Sequence, residues 1–163
     1  MLFYNLPDSN LPIVLDDEVL RHFGRNQQLS VQSTEAGGQL FARFKDSVTI
    51  IKKATGPRPT DKRTRSSFEP DCRAEQKEIL RMFEKDLHYV GDWHTHPSPF
   101  PQPSGTDSLS IKSCVLNSFH QLNGFIMIIV GTASFPASVR VSVHDGRKEY
   151  LLRMSAEDKS HIK

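Results

Sequence analysis

Residues 91–107 read Gly-Asp-Trp-His-Thr-His-Pro-Ser-Pro-Phe-Pro-Gln-Pro-Ser-Gly-Thr-Asp, a proline-fixed turn that is rich in metal-ligand side chains. His94 and His96 are two residues apart, so a strand over 89–96 would direct both imidazoles from one face toward a single ion. Asp107 could supply a third ligand. Catalytic zinc sites typically have three protein ligands and a water, whereas structural sites usually close with four and favour cysteine. The stretch therefore predicts a catalytic zinc centre.

Asp107 also has a structural interpretation. Ser104 and Asp107 have the spacing of a helix capping box. Apolar residues at helical spacing follow them and predict one helix face: Leu109, Ile111, Val115, Leu116 and Phe119. Capping and metal binding compete only for the direction of the Asp107 side chain, because an acid in the first helical turn can still reach a neighbouring strand. Both roles stay open on these residues alone.

Length and composition indicate one globular domain over residues 1–163, with 155–163 as a frayed polar tail. A chain of 163 residues buries roughly 68 to 70% of its unfolded surface, so its core can stabilise it without a structural metal. The net charge of +2 argues against a nucleic-acid binder. Two distant cysteines, no Cys-x-x-Cys motif, no signal segment and no long apolar run predict a cytoplasmic protein that does not span a membrane.

Strands and helices alternate along the predicted chain, which gives an α+β fold class. Hydrophobic periodicity predicts helices after Asp16, over Asp71–Leu87 and after Ser104. The middle helix would pack through a stripe of four residues: Ile79, Leu80, Phe83 and Leu87. Alternation and apolar runs predict strands at 12–15, 40–44, 47–54, 89–96, 124–131, 138–144 and 148–154, with hairpin turns at Lys45-Asp46 and Asp145-Gly146.

Glu35 precedes two glycines at the start of the second strand, in the sequence Glu35-Ala-Gly-Gly. Gly37 and Gly38 would let another backbone or an extended substrate come close, where a Cβ would obstruct it. Trp93 alternates away from the histidines and is expected in the core. The basic stretch from Lys52 to Arg65 has two interpretations, a solvated flexible loop or a contact for an acidic protein.

Together these residues resemble the JAMM motif of the Jab/MPN metalloproteases, which is His-x-His, seven residues, Ser-x-x-Asp, and an upstream glutamate. The resemblance implies a single-domain α-β-α sandwich with a central, mostly antiparallel curved sheet. The Gly-Asp-Trp-His-Thr-His-Pro sequence and the Gly-Pro-Arg-Pro loop are further similar to bacterial deconjugases associated with CBASS anti-phage operons.

Roles follow from this resemblance. It implies one Zn²⁺ per chain bound by His94, His96 and Asp107, Glu35 as general base and then acid, and Ser104 as donor to the developing oxyanion. It also implies a protein substrate whose extended C-terminal tail is linked to a lysine amine, and in the CBASS case a cGAS-like nucleotidyltransferase. Such a tail could add to a strand edge near Gly37 and Gly38.

Other interpretations remain. One is a non-catalytic MPN scaffold that binds partners, although such members usually lose ligand residues. Another is a JAMM peptidase that acts on ubiquitin-like sulfur-carrier proteins. Amidohydrolases share Asp-x-His-x-His, but their (β/α)₈ fold needs about 250 residues with the pair near the first strand. A cupin is disfavoured because no glutamate follows the pair at short spacing. Nucleic-acid binding by the basic stretch is disfavoured because it lacks interleaved aromatic residues.

Overall fold

A computed structural model describes residues 1–6, 11–45 and 47–155. Three helices lie within these ranges: α1 (Asp17–Asn26), α2 (Cys72–Phe83) and α3 (Gly105–Asn117). The strands are β1 (Leu2–Asn5), β2 (Pro12–Leu15), β3 (Gly37–Lys45), β4 (Val48–Ala54), β5 (Lys62–Arg63), β6 (Phe68–Glu69), β7 (His88–Thr95), β8 (Phe125–Val130), β9 (Val139–His144), β10 (Glu149–Leu151) and β11 (Arg153–Ser155).

Nine of the described strands form one sheet in the order β10-β9-β8-β7-β3-β4-β2-β1-β11. Neighbours in the described sheet run antiparallel except for β2 with β4 and β7 with β8. Only Leu152 separates β10 from β11, although these two strands lie at opposite ends of the order. The sheet must therefore curl until its ends meet, which confirms the curved, mostly antiparallel sheet.

The three helices cover both faces of this sheet. Val19 and Phe23 of α1 pack in one core cluster with Trp93 and with alternate residues of β8, including Ile128. Residues of α3 pack against the other face of β8, in the cluster of Ile111, Val115, Phe125, Met127 and Ile129. Because side chains alternate along a strand, α1 and α3 lie on opposite faces. Together they give the predicted α-β-α layers.

Helix α2 lies on the same face as α3. It contacts β7 and β3, and its Glu75 lies near Asp92; burial first, and then the charge of Asp92, raise the pKa of Glu75. Asp92 alternates with Trp93 along β7, so this face is the one away from α1. Asp16, Asp71 and Ser104 accept hydrogen bonds at the N-termini of the three helices, as the sequence predicts.

The apolar stripe predicted for α2 is wrong. Leu80 and Phe83 are 60% and 64% exposed, and the helix ends at Phe83, before Leu87. The inward side instead carries Glu75 and Glu78, which form ion pairs with Arg58. The face predicted for α3 is wrong in part, because only Ile111 and Val115 of the five residues are buried.

Two boundaries also differ from the sequence prediction. The last strand breaks at Leu152, where the chain crosses from one sheet end to the other. Ser155 pairs with Phe3 rather than fraying, and the rest of the predicted tail lies outside the described residues. The hairpin between β3 and β4 is confirmed by the pairing of Lys45 with Val48, although Asp46 lies outside the described residues. No described helix is both long and apolar enough to cross a membrane.

Candidate active site

Strand β7 brings the two histidines of the opening stretch together. His94 lies in the strand and His96 just beyond it, where the His96 N–H continues the pairing with β8 by donating to Val130 O at 2.9 Å. Their Nε2 atoms are 3.2 Å apart. Trp93 points to the opposite face and is 1% exposed, so it belongs to the core as expected. Both imidazoles therefore converge, as the spacing predicts.

Asp107 reaches this pair from the first turn of α3. Its Oδ1 lies 3.3 Å from His94 Nε2 and its Oδ2 lies 3.4 Å from His96 Nε2. The same carboxylate accepts the Ser104 N–H, and the Ser104 hydroxyl oxygen accepts the Asp107 N–H, which completes a capping box. Capping and contact with the histidines therefore coexist in one side chain.

These separations fit the ligands of one small ion. Ligands that lie about 2.05 Å from a tetrahedral zinc would be about 3.3 Å from one another. The contacts among His94, His96 and Asp107 are 3.2, 3.3 and 3.4 Å. Burial acts to raise the pKa of Asp107, but hydrogen bonds from the two histidines hold that pKa well below its ordinary value. A carboxylate that stays ionised beside two imidazoles is a suitable donor set for a divalent cation.

Glu35 faces the same centre. Glu35, His94 and His96 each offer a ligand atom, and these atoms lie within 4.8 Å of one another. Glu35 is 8% exposed, and burial raises its pKa while the two imidazoles act to lower it. The four side chains thus form one cluster although Glu35 is more than fifty residues from the histidines in sequence.

The basic loop holds the backbone of Glu35. Arg63 donates through Nε to the Glu35 carbonyl at 2.6 Å, and the Glu35 N–H donates to the Thr64 carbonyl at 2.7 Å. Arg58 is mostly buried among Asp61, Glu75 and Glu78. The sequence predicted that the basic stretch from Lys52 to Arg65 is a solvated loop or a contact for a partner. Neither interpretation includes the internal contacts that Arg58 and Arg63 make.

The two glycines accommodate this chain's own segments. A Cβ on Gly38 would lie 1.9 Å from the Thr55 carbonyl oxygen, and one on Gly37 would lie 2.7 Å from the Phe68 ring. β3 is also an interior strand between β7 and β4. The expectation that a substrate tail adds to a strand edge at these glycines is therefore wrong, because the chain itself occupies that space.

Sequence patterns did not reveal that three polar residues make hydrogen bonds next to the cluster: Gln28, Arg63 and Thr95. Thr95 separates the two histidines, and its hydroxyl oxygen accepts the Ala36 N–H at 2.9 Å. Gln28 accepts the Thr95 O–H at 3.0 Å. The position of a small hydroxyl residue between two ligand candidates is the one signal that could have drawn attention to Thr95.

Other histidines in the described ranges serve local structure. His22 stacks edge-on against Trp93 in the core. His120 contacts the Val115 carbonyl, and His144 accepts the Gly146 N–H. Both contacts lie within a few residues in sequence, and His161 lies outside the described residues.

The sequence matches the family described as prokaryotic homologs of the JAB domain over residues 17–143. The chain belongs to this JAB family. The match spans the elements from α1 to β9 and therefore includes all four clustered side chains. As a JAB domain, the chain shares the architecture that the sequence motif implied.

Curated relatives carry more specific names. A "CD-NTase/cGAS isopeptidase" of Escherichia coli (strain TW11681) is 31% identical over 129 residues, which are 77% of this JAB chain and 80% of the relative. A protein of the same name from Enterobacter hormaechei subsp. hoffmannii (strain UCI 50) is 35% identical over 114 residues, 66% of this chain and 63% of the relative. A "Probable metalloprotease" of Sinorhizobium fredii (strain NBRC 101917 / NGR234) is 36% identical over 86 residues, 50% of this chain and 52% of the relative.

A solved structure supports the fold of the JAB domain. The solution structure of a Desulfitobacterium hafniense protein aligns with a TM-score of 0.58 over 91% of this chain and 96% of the other. Identity between the two is 17%, so the similarity concerns the fold.

Proposed function

We propose that this JAB domain is a zinc-dependent isopeptidase that removes a lysine-linked protein from the C-terminal tail of a conjugated protein. The observation that carries the proposal is the cluster itself: Glu35 and the two histidines offer ligand atoms within 4.8 Å, and Asp107 contacts both imidazoles. A scaffold that only bound partners would not need a buried carboxylate aimed at three ligand side chains.

His94, His96 and Asp107 would hold the metal, one per chain. Zn²⁺ in such a site supplies a Lewis acid and lowers the pKa of bound water toward about 7. The imidazoles contribute neutral nitrogen ligands and Asp107 contributes a negative charge. The capping box holds the Asp107 side chain toward the histidines and reduces its freedom before a metal binds.

Glu35 would accept a proton from the attacking water and later return it to the leaving lysine amine. A general base works best when its pKa lies near the operating pH. Burial raises the pKa of Glu35 above the ordinary value for glutamate, which moves it in the direction that favours both steps. Burial also excludes competing solvent from the carboxylate.

Ser104 would donate to the oxyanion that develops on the scissile carbonyl. Its oxygen accepts the Asp107 N–H at 3.1 Å, and this contact uses a lone pair and leaves the hydroxyl hydrogen free to donate. Such a donor is typically worth a factor of about 10² to 10³ in rate. Capping and catalysis would then use different parts of one hydroxyl.

The relatives' names favour a particular substrate. Two of them are named isopeptidases of CD-NTase/cGAS proteins, so we propose that the acyl side is the C-terminus of a cGAS-like nucleotidyltransferase in an anti-phage CBASS system. The hydrolase would release that enzyme from lysines to which a ubiquitin-type conjugating system had attached it. Tails of ubiquitin-like sulfur carriers are the alternative substrate.

A fluorescent isopeptide probe tests this function. In it the C-terminal segment of the source organism's cGAS-like nucleotidyltransferase is joined through its last carboxyl to a lysine ε-amine. Zinc-loaded protein should cleave the probe, chelation should abolish cleavage, and added zinc should restore it. Glu35→Gln should retain zinc by elemental analysis and lose at least about 10²-fold in kcat.

Comparison probes decide among the alternatives. If a probe with the tail of a ubiquitin-like sulfur carrier is cleaved in preference to the first probe, the substrate is a sulfur carrier instead of a cGAS-like nucleotidyltransferase. Cleavage of neither probe by zinc-loaded protein, together with stable binding of a partner, would favour the scaffold interpretation. Absence of zinc from the purified protein, or zinc content unchanged in His96→Ala, would remove the ligand assignment.

A further inference from the structure

Glu35 lies outside regular secondary structure, because β3 begins two residues later at Gly37. The ligand pair, by contrast, is fixed by strand β7 and its neighbours. A general base must lie within hydrogen-bond distance of the proton that it takes. The position of Glu35 relative to the histidines therefore depends on contacts made by its own short segment.

Thr95 holds that segment against β7. The Ala36 N–H donates to Thr95 Oγ1 at 2.9 Å, and the Thr95 N–H donates to the Ala36 carbonyl at 2.8 Å. Thr95 and Ala36 are both fully buried. Side chains alternate along the strand, so the Thr95 hydroxyl lies on the opposite side from the two imidazoles and is not a ligand.

Gln28 fixes the direction of the Thr95 hydroxyl. Gln28 Oε1 accepts the Thr95 O–H at 3.0 Å, and Gln28 Nε2 donates to the Arg65 carbonyl at 2.9 Å. A hydroxyl that donates to Gln28 keeps its lone pairs for the Ala36 N–H. Gln28 is 3% exposed, and its amide group accepts from the Thr95 hydroxyl and donates to the Arg65 carbonyl at once.

The same hydrogen bonds connect the loop to the ligand strand. Gln28 links the Arg65 carbonyl to Thr95, and the loop residues Arg63 and Thr64 hold the backbone of Glu35. The loop thus fixes the backbone of Glu35, and β7 fixes the backbone of Ala36. The two bonds to the Thr95 hydroxyl are buried and those from the loop are part-buried, and together they fix the backbone that carries the Glu35 carboxylate.

We propose that Thr95 and Gln28 are positioning residues for Glu35, acting through the Ala36 N–H. The proposal rests on the proposed role of Glu35 as proton acceptor. A displacement of about 1 Å can reduce a rate about 10²-fold, so loss of the Thr95 hydroxyl should act on the chemical step. Binding of metal and substrate should be preserved, because the Thr95 hydroxyl and the Gln28 amide hydrogen-bond to none of the candidate ligand side chains.

Thr95→Val replaces the hydroxyl by a methyl group of similar shape. Zinc content and KM for the isopeptide probe should stay unchanged while kcat falls by about 10- to 10²-fold. Thr95→Ser keeps the hydroxyl and should restore most of kcat. Gln28→Met removes both the acceptor for the Thr95 O–H and the donor to the Arg65 carbonyl, and it should lower kcat in the same way, again without loss of zinc.

Ser142→Ala is the matched control. Ser142 is a buried hydroxyl of β9, 3.5 Å from the Met127 carbonyl and outside the cluster. The kcat of the Ser142→Ala enzyme should equal that of the wild type. The positioning role would be overturned if kcat fell as far in Ser142→Ala as in Thr95→Val. It would also be overturned if the kcat of Thr95→Val stayed within twofold of the wild-type value.

Crystal structures of the zinc-loaded variants give an outcome that does not depend on activity. In Thr95→Val the Glu35 carboxylate should be displaced or disordered while His94, His96 and Asp107 stay in place. An unmoved Glu35 would refute the inference. If the wild type cleaved no probe, the proposed function would fail, and these structures would still decide whether Thr95 positions Glu35.

Discussion

Ser104 and Asp107 cap each other at the start of α3, with the Ser104 N–H 2.6 Å from Asp107 Oδ2 and the Asp107 N–H 3.1 Å from Ser104 Oγ. The same Asp107 carboxylate contacts both candidate histidine ligands. Folding of the first helical turn and the candidate metal site therefore share one side chain, and substitutions can separate the two contributions.

Ser104→Ala should lower the free energy of unfolding by about 0.5–2 kcal/mol, because it removes the N-cap acceptor. Zinc content should be unchanged, and kcat should fall about 10²-fold or more through loss of the oxyanion donor.

Asp107→Asn keeps a side-chain acceptor for the helix but removes the negative charge, so zinc content should drop sharply. Elemental analysis and urea unfolding measure both effects; full zinc retention by Asp107→Asn would contradict its ligand role.

Arg58→Met should lower the free energy of unfolding by about 3–5 kcal/mol, because it leaves buried carboxylates without their cation. Arg58 is 13% exposed, and its partners include Glu78 and the fully buried side chain of Asp61. The matched variant Arg43→Met breaks an exposed ion pair with Asp86 and should change stability by less than about 1 kcal/mol. Equal effects in denaturant unfolding would show that burial of the Arg58 cluster is unimportant.

Glu75 should make stability depend on pH. Burial, followed by the charge of Asp92, raises the pKa of Glu75 from 4.5 to about 7. Between these values the folded state binds more protons than the unfolded chain, so the free energy of unfolding falls as pH rises. The contribution is complete below the unfolded pKa and is lost as pH rises through the folded pKa.

Glu75→Gln removes this titration. Its stability relative to wild type should therefore increase between about pH 5 and about pH 8, as measured by urea unfolding at each pH. A difference between the two proteins that stays constant over this range would contradict the raised pKa. Glu69→Gln, in the exposed pair with Lys62, provides the surface comparison.

Gly38→Ala should destabilise the fold by about 1–3 kcal/mol or more, because its Cβ would meet the Thr55 carbonyl at 1.9 Å. Gly105→Ala is the matched control, since its added Cβ would have no heavy atom within 4 Å beyond its chain neighbours and the backbone of its own helix. At the start of α3 this alanine should be neutral or stabilise by up to about 1 kcal/mol. Thermal unfolding of the two variants compares the effects; a stable Gly38→Ala would contradict the close approach.

The sequence predicted the cluster better than its surroundings. His94 and His96 follow the period of a strand, and Ser104 with Asp107 follows a capping pattern, so short-range geometry was sufficient for both. Glu35 could be joined to them only through the family motif, because its approach depends on the pairing of β3 with β7. Long-range strand pairing leaves no local signal in one sequence.

Helix α2 shows why other predictions were wrong. An apolar stripe was expected to face the core, but Arg58 enters from a loop and draws Glu75 and Glu78 inward, which rotates the helix and leaves Leu80 exposed. Hydrophobic periodicity cannot represent a buried ion pair whose partner lies elsewhere in the chain. Gln28 was missed for the same reason, because its partners come from distant segments.

The single residue Leu152 between β10 and β11 leaves the sheet with only short open strand edges. Both terminal strands of the sheet are three residues long, and they are consecutive in sequence. Long open strand edges are templates for edge-to-edge aggregation, and very short ones offer few unpaired backbone groups. The nine-stranded sheet is therefore nearly self-terminating, and the strand edges nearest the cluster belong to the separate two-stranded sheet of β5 and β6, where Thr64 already accepts the Glu35 N–H.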